Sequence, residues 1–366
     1  MIKDKVIYVV YHDLSTEARS FEMLCALKDA FEDVTCVCRK PPIDTVGCKM
    51  IYPKSIKNQY VEFYKLAKKT IHSIEPQVLV LHDEFTAPFI SLGKRLNSFI
   101  IFDSSELNYK RVLPGLKNKL AKYFYYIERK NLKQADLVFA ANIERLEIMK
   151  KEYNLSCQLE VFDNIHRIDD SYDDEECKKK YGKFFSEYKY PLVYGGGISH
   201  SRFTFKLVEA FANTKDLCLL IIGSTSETCR KEFNELLATM NINNVYYLGF
   251  IPRAEFKYLL ENAFASFVLF KSDCPNTVNC ASGKMYESLF LGTPIICSDN
   301  PPLKRICSKY MVGESSMDFQ ASFQKILENR SMYVEKIREY VNSIDYDNRI
   351  IKLSNTIVDA YTKSIQ

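Results

Sequence analysis

Residues 282–296, SGKMYESLFLGTPII, place one carboxylate, Glu287, in a stretch that is otherwise apolar almost all round. Its neighbours are Met285, Tyr286, Leu289, Phe290 and Leu291. A buried carboxylate is rare unless paired or hydrogen-bonded, because an uncompensated charge is costly to remove from water. The stretch reads as a short helix, a turn and a buried strand. Cys280, Ala281, Ser282 and Gly283 are small and leave the first amides of that helix open to an anion. The Glu287 side chain points back toward the same end, where it can accept hydrogen bonds from two vicinal hydroxyls, such as those of a ribose. The alternative is an ordinary i, i+3 pair with Lys284 on a solvated face.

A second group of residues is GGGISHSR, 195–202. Glycine lets the backbone approach a phosphate closely, and a following helix offers free N–H groups. Arg202, at the start of that helix, could clamp a pyrophosphate bidentately. The cluster is neither GxGxxG nor a P-loop, which argues against a dinucleotide dehydrogenase and an NTPase. Taken alone, these glycines read first as a plain turn.

These residues sit where strands end. Short β-branched runs alternate with helical stretches: strands at 5–11, 34–38, 77–82, 99–103 and 135–141, with helices at about 16–31, 86–96 and 114–133. The charged segment 169–190 lacks a strand. A second series follows, with strands at 191–197, 217–223, 245–249, 265–270 and 295–298, helices at 203–213, 227–240 and 253–262, and a helical tail from 317 to 364. Such alternation predicts parallel sheets with helices on both faces. Ligands of open parallel sheets bind beyond the carboxyl ends of the strands. Those ends carry His12 and Asp13, His82 and Asp83, Asp103 to Glu106, Gly195 to Gly197, Gly223 and Ser224, and Gly249. The chain of 366 residues fits two domains. The expected division is 1–165, a linker at 166–190, 191–345, and a helix at 346–366 returning to the first domain.

A net charge of +4 excludes a dedicated nucleic-acid binder. No apolar run approaches the length of a membrane-spanning helix, and no leader is apparent. The 12 cysteines show no CxxC pair and read as reduced thiols of a cytoplasmic protein rather than as a zinc site. The segment 107–134 is rich in Lys and Arg, with Tyr123, Phe124, Tyr125 and Tyr126 interleaved. Such a helix can lie on an anionic membrane, which would place the protein at the inner face of the cytoplasmic membrane. It can equally be a solvated basic face with its aromatic residues in the core.

With these residues in view, SGKMYESLFLGTPII resembles the C-terminal signature of group 1 glycosyltransferases, family 4, of the two-domain GT-B fold. YGGGISHSRFTFKLVEAF, LLIIGS and YYLGFIP are similar to that family's strand–loop–helix and strand motifs. In the first half, PQVLVLHDEF, IIFDSSEL, ADLVFAANIERLEIM and VFDNIHR resemble its remaining segments more weakly. The resemblance implies two Rossmann-like domains with the active site in the cleft between them. It also implies sugar transfer from a nucleotide-sugar donor, a UDP-sugar, to a glycan or lipid-linked acceptor, with retention and without a required metal or cofactor.

By the same resemblance, Glu287 holds the donor ribose, and Arg202, with Lys206 in reserve, holds the pyrophosphate. The amides of Ser282, Gly283, Lys284 and Met285 cradle the phosphates. Gly196, Gly197, Gly223 and Ser224 line the donor site, and the backbone of Phe250 and Ile251 flanks the base. His82 lies near the acceptor and the transferred sugar, with Ser15, Thr16, Arg19, Asp83 and Glu106 on the acceptor side. Eight residues before Glu287 stands Asn279 where the family has Glu. Asn can hydrogen-bond a sugar hydroxyl but carries no charge. A nucleotide-sugar epimerase of the same fold and a non-catalytic sugar-binding relative are the alternatives. A composition rich in Lys, Ile, Asn and Tyr points to a bacterial surface polysaccharide.

Overall fold

The strand and helix patterns are realised in a computed structural model that describes residues 1–54, 59–110 and 116–366. Contacts divide the chain into two compact units. The first comprises Met1–Asn164, Cys274–Asn276 and Asp345–Gln366; the second comprises Ile165–Asp273 and Thr277–Ile344.

The first unit holds a seven-stranded sheet with every described pairing parallel. Its strands are β1 (Ile2–Asp13), β2 (Phe31–Lys40), β3 (Lys49–Ile51), β4 (Val78–His82), β5 (Phe99–Ser104), β6 (Leu137–Ala140) and β7 (Gln158–Val161). They lie in the order β3-β2-β1-β4-β5-β6-β7. Chain order reverses beside β1, the switch point at which such sheets bind ligands. β4 and β5 are buried along their whole length, as runs such as VLVLH and FIIFD require when helices cover both faces. Val10, His82 and Asp103 stand in register at the ends of β1, β4 and β5.

The second unit repeats the plan with six parallel strands in the order β10-β9-β8-β11-β12-β13. These are β8 (Tyr190–Tyr194), β9 (Leu217–Ile222), β10 (Val245–Gly249), β11 (Ala265–Val268), β12 (Ile295–Cys297) and β13 (Gly313–Ser315). Gly197 closes the turn after β8 with φ of +69°, and a Cβ there would lie 2.0 Å from the Ser224 carbonyl oxygen. Only glycine lets these two strand ends come so close.

Three expectations are corrected. The segment 166–190 is not a linker. Residues Asp174–Glu187 form a helix that buries Cys177, Tyr181 and Phe184 at helical spacing within the second unit. Asp173 caps it by accepting from the Glu176 amide, and three acids fill its first turn, where the helix dipole favours them. The helix expected at 86–96 is a 3-10 helix, Glu84–Phe89, followed by one α-helical turn and a half, Ile90–Arg95; Pro88 sits at the junction. The helix expected at 114–133 runs over Leu116–Asn131, and residues 114 and 115 lie outside the described ones. Elements absent from the sequence reading include β3, β7, β13 and the helices Gln59–Ile74, Ile143–Tyr153 and Pro301–Tyr310.

The C-terminal helix, Arg349–Ile365, packs in the first unit. Leu353, Ile357, Ala360 and Tyr361 join the core formed by one face of the sheet, and the Tyr361 hydroxyl donates to Asp4 at 2.9 Å. Ile357 is completely buried there. Ile357→Ala should lower the unfolding free energy by about 2–5 kcal/mol in urea titrations. A loss within experimental error would mean that this helix is dispensable to the core.

Candidate functional site

In the second unit, Gly195, Ile222, Gly223, Phe250, Ile251, Arg253, Phe256, Lys284 and Glu287 line a cavity of about 250 Å³. It lies where β8, β9 and β10 end and where the helix Gly283–Phe290 begins. The 12% exposed Glu287 side chain does not pair with Lys284. Its Oε1 accepts from Arg253 Nη2 at 3.2 Å. Arg253 also reaches Asp170 Oδ2 at 3.3 Å and donates to the Arg167 carbonyl at 3.1 Å. Arg253 was not singled out from sequence. Its signal was there in the IPRAEF run, where Pro252 and Arg253 open a helix directly after the glycine of β10.

Lys284 faces the same cavity. Loss of water around its ammonium pulls its pKa below the usual lysine value. Glu287 opposes that shift, and the nearby charges of Arg202 and Arg253 add to it. Three cations thus act on one small volume against the carboxylate of Glu287, an arrangement that attracts an anion. Arg202 lies on the turn His200–Arg202, its guanidinium 4.6 Å from the Phe270 ring centroid. The buried Ser282 Oγ at the start of the helix Gly283–Phe290 caps no amide and has no hydrogen-bond partner among the described residues. Gly283 is required beside it, because a Cβ would lie 2.1 Å from the His166 ring. Phe250 is 88% exposed at the rim, whereas Ile251 is buried.

Other expected donor residues lie elsewhere. The Lys206 ammonium is 5.7 Å from the centroid of the Phe319 ring and does not line the cavity. Gly196, Gly197 and Ser224 shape the turns behind it, with the exposed Ser224 offering its carbonyl toward Gly197. The Met285 side chain belongs to the core, which leaves only its backbone for a ligand. Asn279 is buried just after the helical turn Pro275–Val278.

In the first unit, the strand ends carry a buried network of charges. Arg19 Nε donates to Asp103 Oδ2 at 3.2 Å, and Arg19 Nη2 pairs with Asp103 Oδ1. The remaining terminal nitrogen donates to the Phe162 carbonyl. His82 Nδ1 lies 2.9 Å from Asp103 Oδ2, and its Nε2 is 3.3 Å from both Ser20 Oγ and Asp83 Oδ2. Asp83 also accepts from the Ser105 amide and hydroxyl and the Glu106 amide, and His12 Nε2 is 3.4 Å from Oδ2. Burial alone would lower the His82 pKa, but Asp83 and Asp103 outweigh it and raise the value to about 10. Burial likewise pushes both carboxylates up. His82, with Arg19 in the case of Asp103, holds them below their ordinary value instead.

This network corrects two assignments. His82 is fully buried and Arg19 is 1% exposed, so neither meets an acceptor directly. His12, 35% exposed and backed by Asp83, has access to solvent at this end. Ser15 and Thr16 are exposed, and both lean on Asp13 rather than on the network. Glu106 is 42% exposed, with Arg145 Nη2 3.9 Å away and the Asn276 amide donating to it.

The raised value of His82 fixes a sign for pH dependence. The stabilisation is fully present below about 6.5, the unfolded value, and is lost as pH rises through about 10. Between those limits the wild type should lose up to about 1.4 kcal/mol per pH unit more than His82→Gln, measured by urea unfolding at pH 6 and pH 9. Parallel profiles would show that His82 is neutral in the fold.

No protein-family model matches the chain. In sequence it is 23% identical over 296 residues to an uncharacterized glycosyltransferase of Methanocaldococcus jannaschii, covering 72% of this chain and 68% of that protein. Among solved structures, the sucrose-phosphate synthase of Thermosynechococcus elongatus superposes with a TM-score of 0.76 at 14% identity, over 98% of this chain and 100% of that one. Anabaena HepE, solved in complex with UDP, gives 0.72 at 9% identity over 98% and 100%. WaaG, a glycosyltransferase involved in lipopolysaccharide biosynthesis, gives 0.69 at 12% identity over 96% and 99%. The relatives that this chain matches in sequence and in shape are glycosyltransferases, and in fold it is a member of the two-domain GT-B class that they share.

Proposed function

We propose that this chain transfers a sugar from a UDP-sugar to a glycan or lipid-linked acceptor, with retention, during assembly of a bacterial surface polysaccharide. The observation that carries the reading is the cavity of the second unit, where Glu287, Lys284 and Arg253 face one space beside Gly195 and Gly223. Lys284 and Arg253, helped by Arg202, meet the diphosphate and stabilise the charge that develops on its oxygen as the bond from that oxygen to the anomeric carbon breaks and the acceptor hydroxyl oxygen bonds to that carbon, its proton leaving. Ser282 Oγ and the adjoining helix amides offer it donors. Glu287, held in place by Arg253, receives the ribose hydroxyls, and the exposed Phe250 ring covers the base. HepE, of the same fold, has been solved with UDP and with UDP-glucose, which supports uridine as the base.

We propose a cytoplasmic location, as the scattered cysteines without a CxxC pair suggest. Among the described residues, no helix is long and apolar enough to cross a membrane. We assign peripheral membrane contact to the segment 107–134. Tyr123 and Tyr126 are 58% and 64% exposed beside Lys119, Lys122, Arg129 and Lys130. Phe124 is buried and Tyr125 half-buried, so the helix Leu116–Asn131 has both an anchored and a free aromatic face. Arg111 lies outside the described residues, as does the side chain of Lys117.

Calorimetric titration with UDP, GDP and ADP tests the donor assignment. UDP should bind in the micromolar range, and Glu287→Ala or Arg253→Ala should weaken it by about 10- to 100-fold, the loss of one or two charge-assisted hydrogen bonds. Equal affinity in both variants would remove the ribose and phosphate roles from this cavity. Release of an epimerised sugar nucleotide without acceptor would point to an epimerase instead, and nucleotide binding without turnover on any acceptor to a binding protein. At low salt, vesicles containing anionic lipid should sediment the protein, and neutral vesicles should not. Failure of the anionic vesicles would end the membrane assignment.

A further inference from the structure

Away from the cavity, the second unit gathers three metal-ligating side chains that no spacing in the sequence announces. His200 Nε2 lies 2.7 Å from Glu232 Oε2. Those atoms and Cys229 Sγ all lie within 4.8 Å of one another. His200 comes from the turn His200–Arg202, and Cys229 and Glu232 stand one turn apart on the helix Glu227–Thr239. The spacing i, i+3 puts both helix donors on one face. The His200 ring is stacked on Phe205, with centroids 4.2 Å apart and planes 9° from parallel. That stacking fixes the ring plane and leaves Nε2 directed at the helix.

Thiolate, imidazole and carboxylate together suit a zinc-class ion, whose bonds of about 2.0–2.3 Å set tetrahedral donors roughly 3.5 Å apart. The three donors lie close enough to reach that spacing by small side-chain rotations. A second group of similar type, His12, His82 and Asp83, is a different case. There the two carboxylates around His82 hold its proton, and the Asp83 oxygens are already engaged by Ser105 and Glu106. That group is a closed hydrogen-bond network.

We propose that His200, Cys229 and Glu232 bind one zinc-class divalent ion, with water in the fourth position, and thereby clamp the turn carrying Arg202 to the helix Glu227–Thr239. On binding, the Cys229 thiol proton and any proton on His200 Nε2 leave to solvent. The thiolate and carboxylate then neutralise the charge of the ion. Arg202 follows His200 by two residues, so the ion stiffens the backbone that presents its guanidinium.

Cobalt(II) serves as the probe, titrated into tag-free full-length protein under reducing, thiol-free conditions. A thiolate-to-cobalt charge-transfer absorbance should saturate at one equivalent and collapse on addition of zinc. It should be lost in Cys229→Ser, and His200→Ala, at an exposed position, should weaken cobalt binding at least tenfold. No charge-transfer absorbance, or one that survives Cys229→Ser, would overturn the site. The titration contains no nucleotide, so its outcome is independent of the donor assignment.

Discussion

Asp103 is a fully buried carboxylate at the end of a fully buried strand, and the first unit is organised around satisfying it. A lone charge there would cost several kcal/mol or more. Arg19 approaches it from the first helix with two nitrogens, and His82 from the neighbouring strand with a third. Arg19 in turn binds the Phe162 carbonyl and stacks on the Phe162 ring, 4.4 Å away. One carboxylate therefore fixes the first helix, two adjacent strands and the chain just after β7. Removing either partner would leave an uncompensated charge, which is far more damaging than never having built the pair.

The second unit handles charge in the opposite way. Its cations face a cavity lined by the carboxylate of Glu287, with Asp170 a second partner of Arg253, and its strand ends are turned by glycines. The first unit buries its charged groups against one another; the second brings Arg253, Lys284 and Glu287 to the wall of a cavity. A surface already neutral would gain nothing from a phosphate, so this contrast is what the proposed donor site requires of the second unit.

Much of this was legible in the sequence, for reasons that differ by element. Runs such as QVLVLH, FIIFD and LCLLII are too uniformly apolar and β-branched to be anything but interior strands, and polar residues after the first two and Gly223 after the third mark the turns. Glu287 was found because a carboxylate among apolar residues needs a partner. The identity of that partner was not legible, because Arg253 is distant in sequence and Lys284 is one turn away. The burial of His82 and Arg19 was hidden for the same reason: polarity at a strand end reads as a binding site until the facing residues are known. The charged segment 169–190 was misread because its apolar residues, Cys177, Tyr181 and Phe184, are few. The Asp173 cap and the acids after it were the signal for a helix.

The position of the last helix has a consequence for how the chain is made. The first unit consists of the beginning of the chain and its final segment, Asp345–Gln366, with nearly the whole second unit synthesised in between. Until Ile357 and Tyr361 emerge, one apolar face of the first sheet lacks its cover. The second unit can fold on the ribosome as it appears, whereas the first keeps that apolar face exposed until the helix Arg349–Ile365 has been made. The order of synthesis is thus reversed in folding, and the nascent first unit is the natural client for a chaperone. Pairing across so long a stretch of sequence also makes its last step slow.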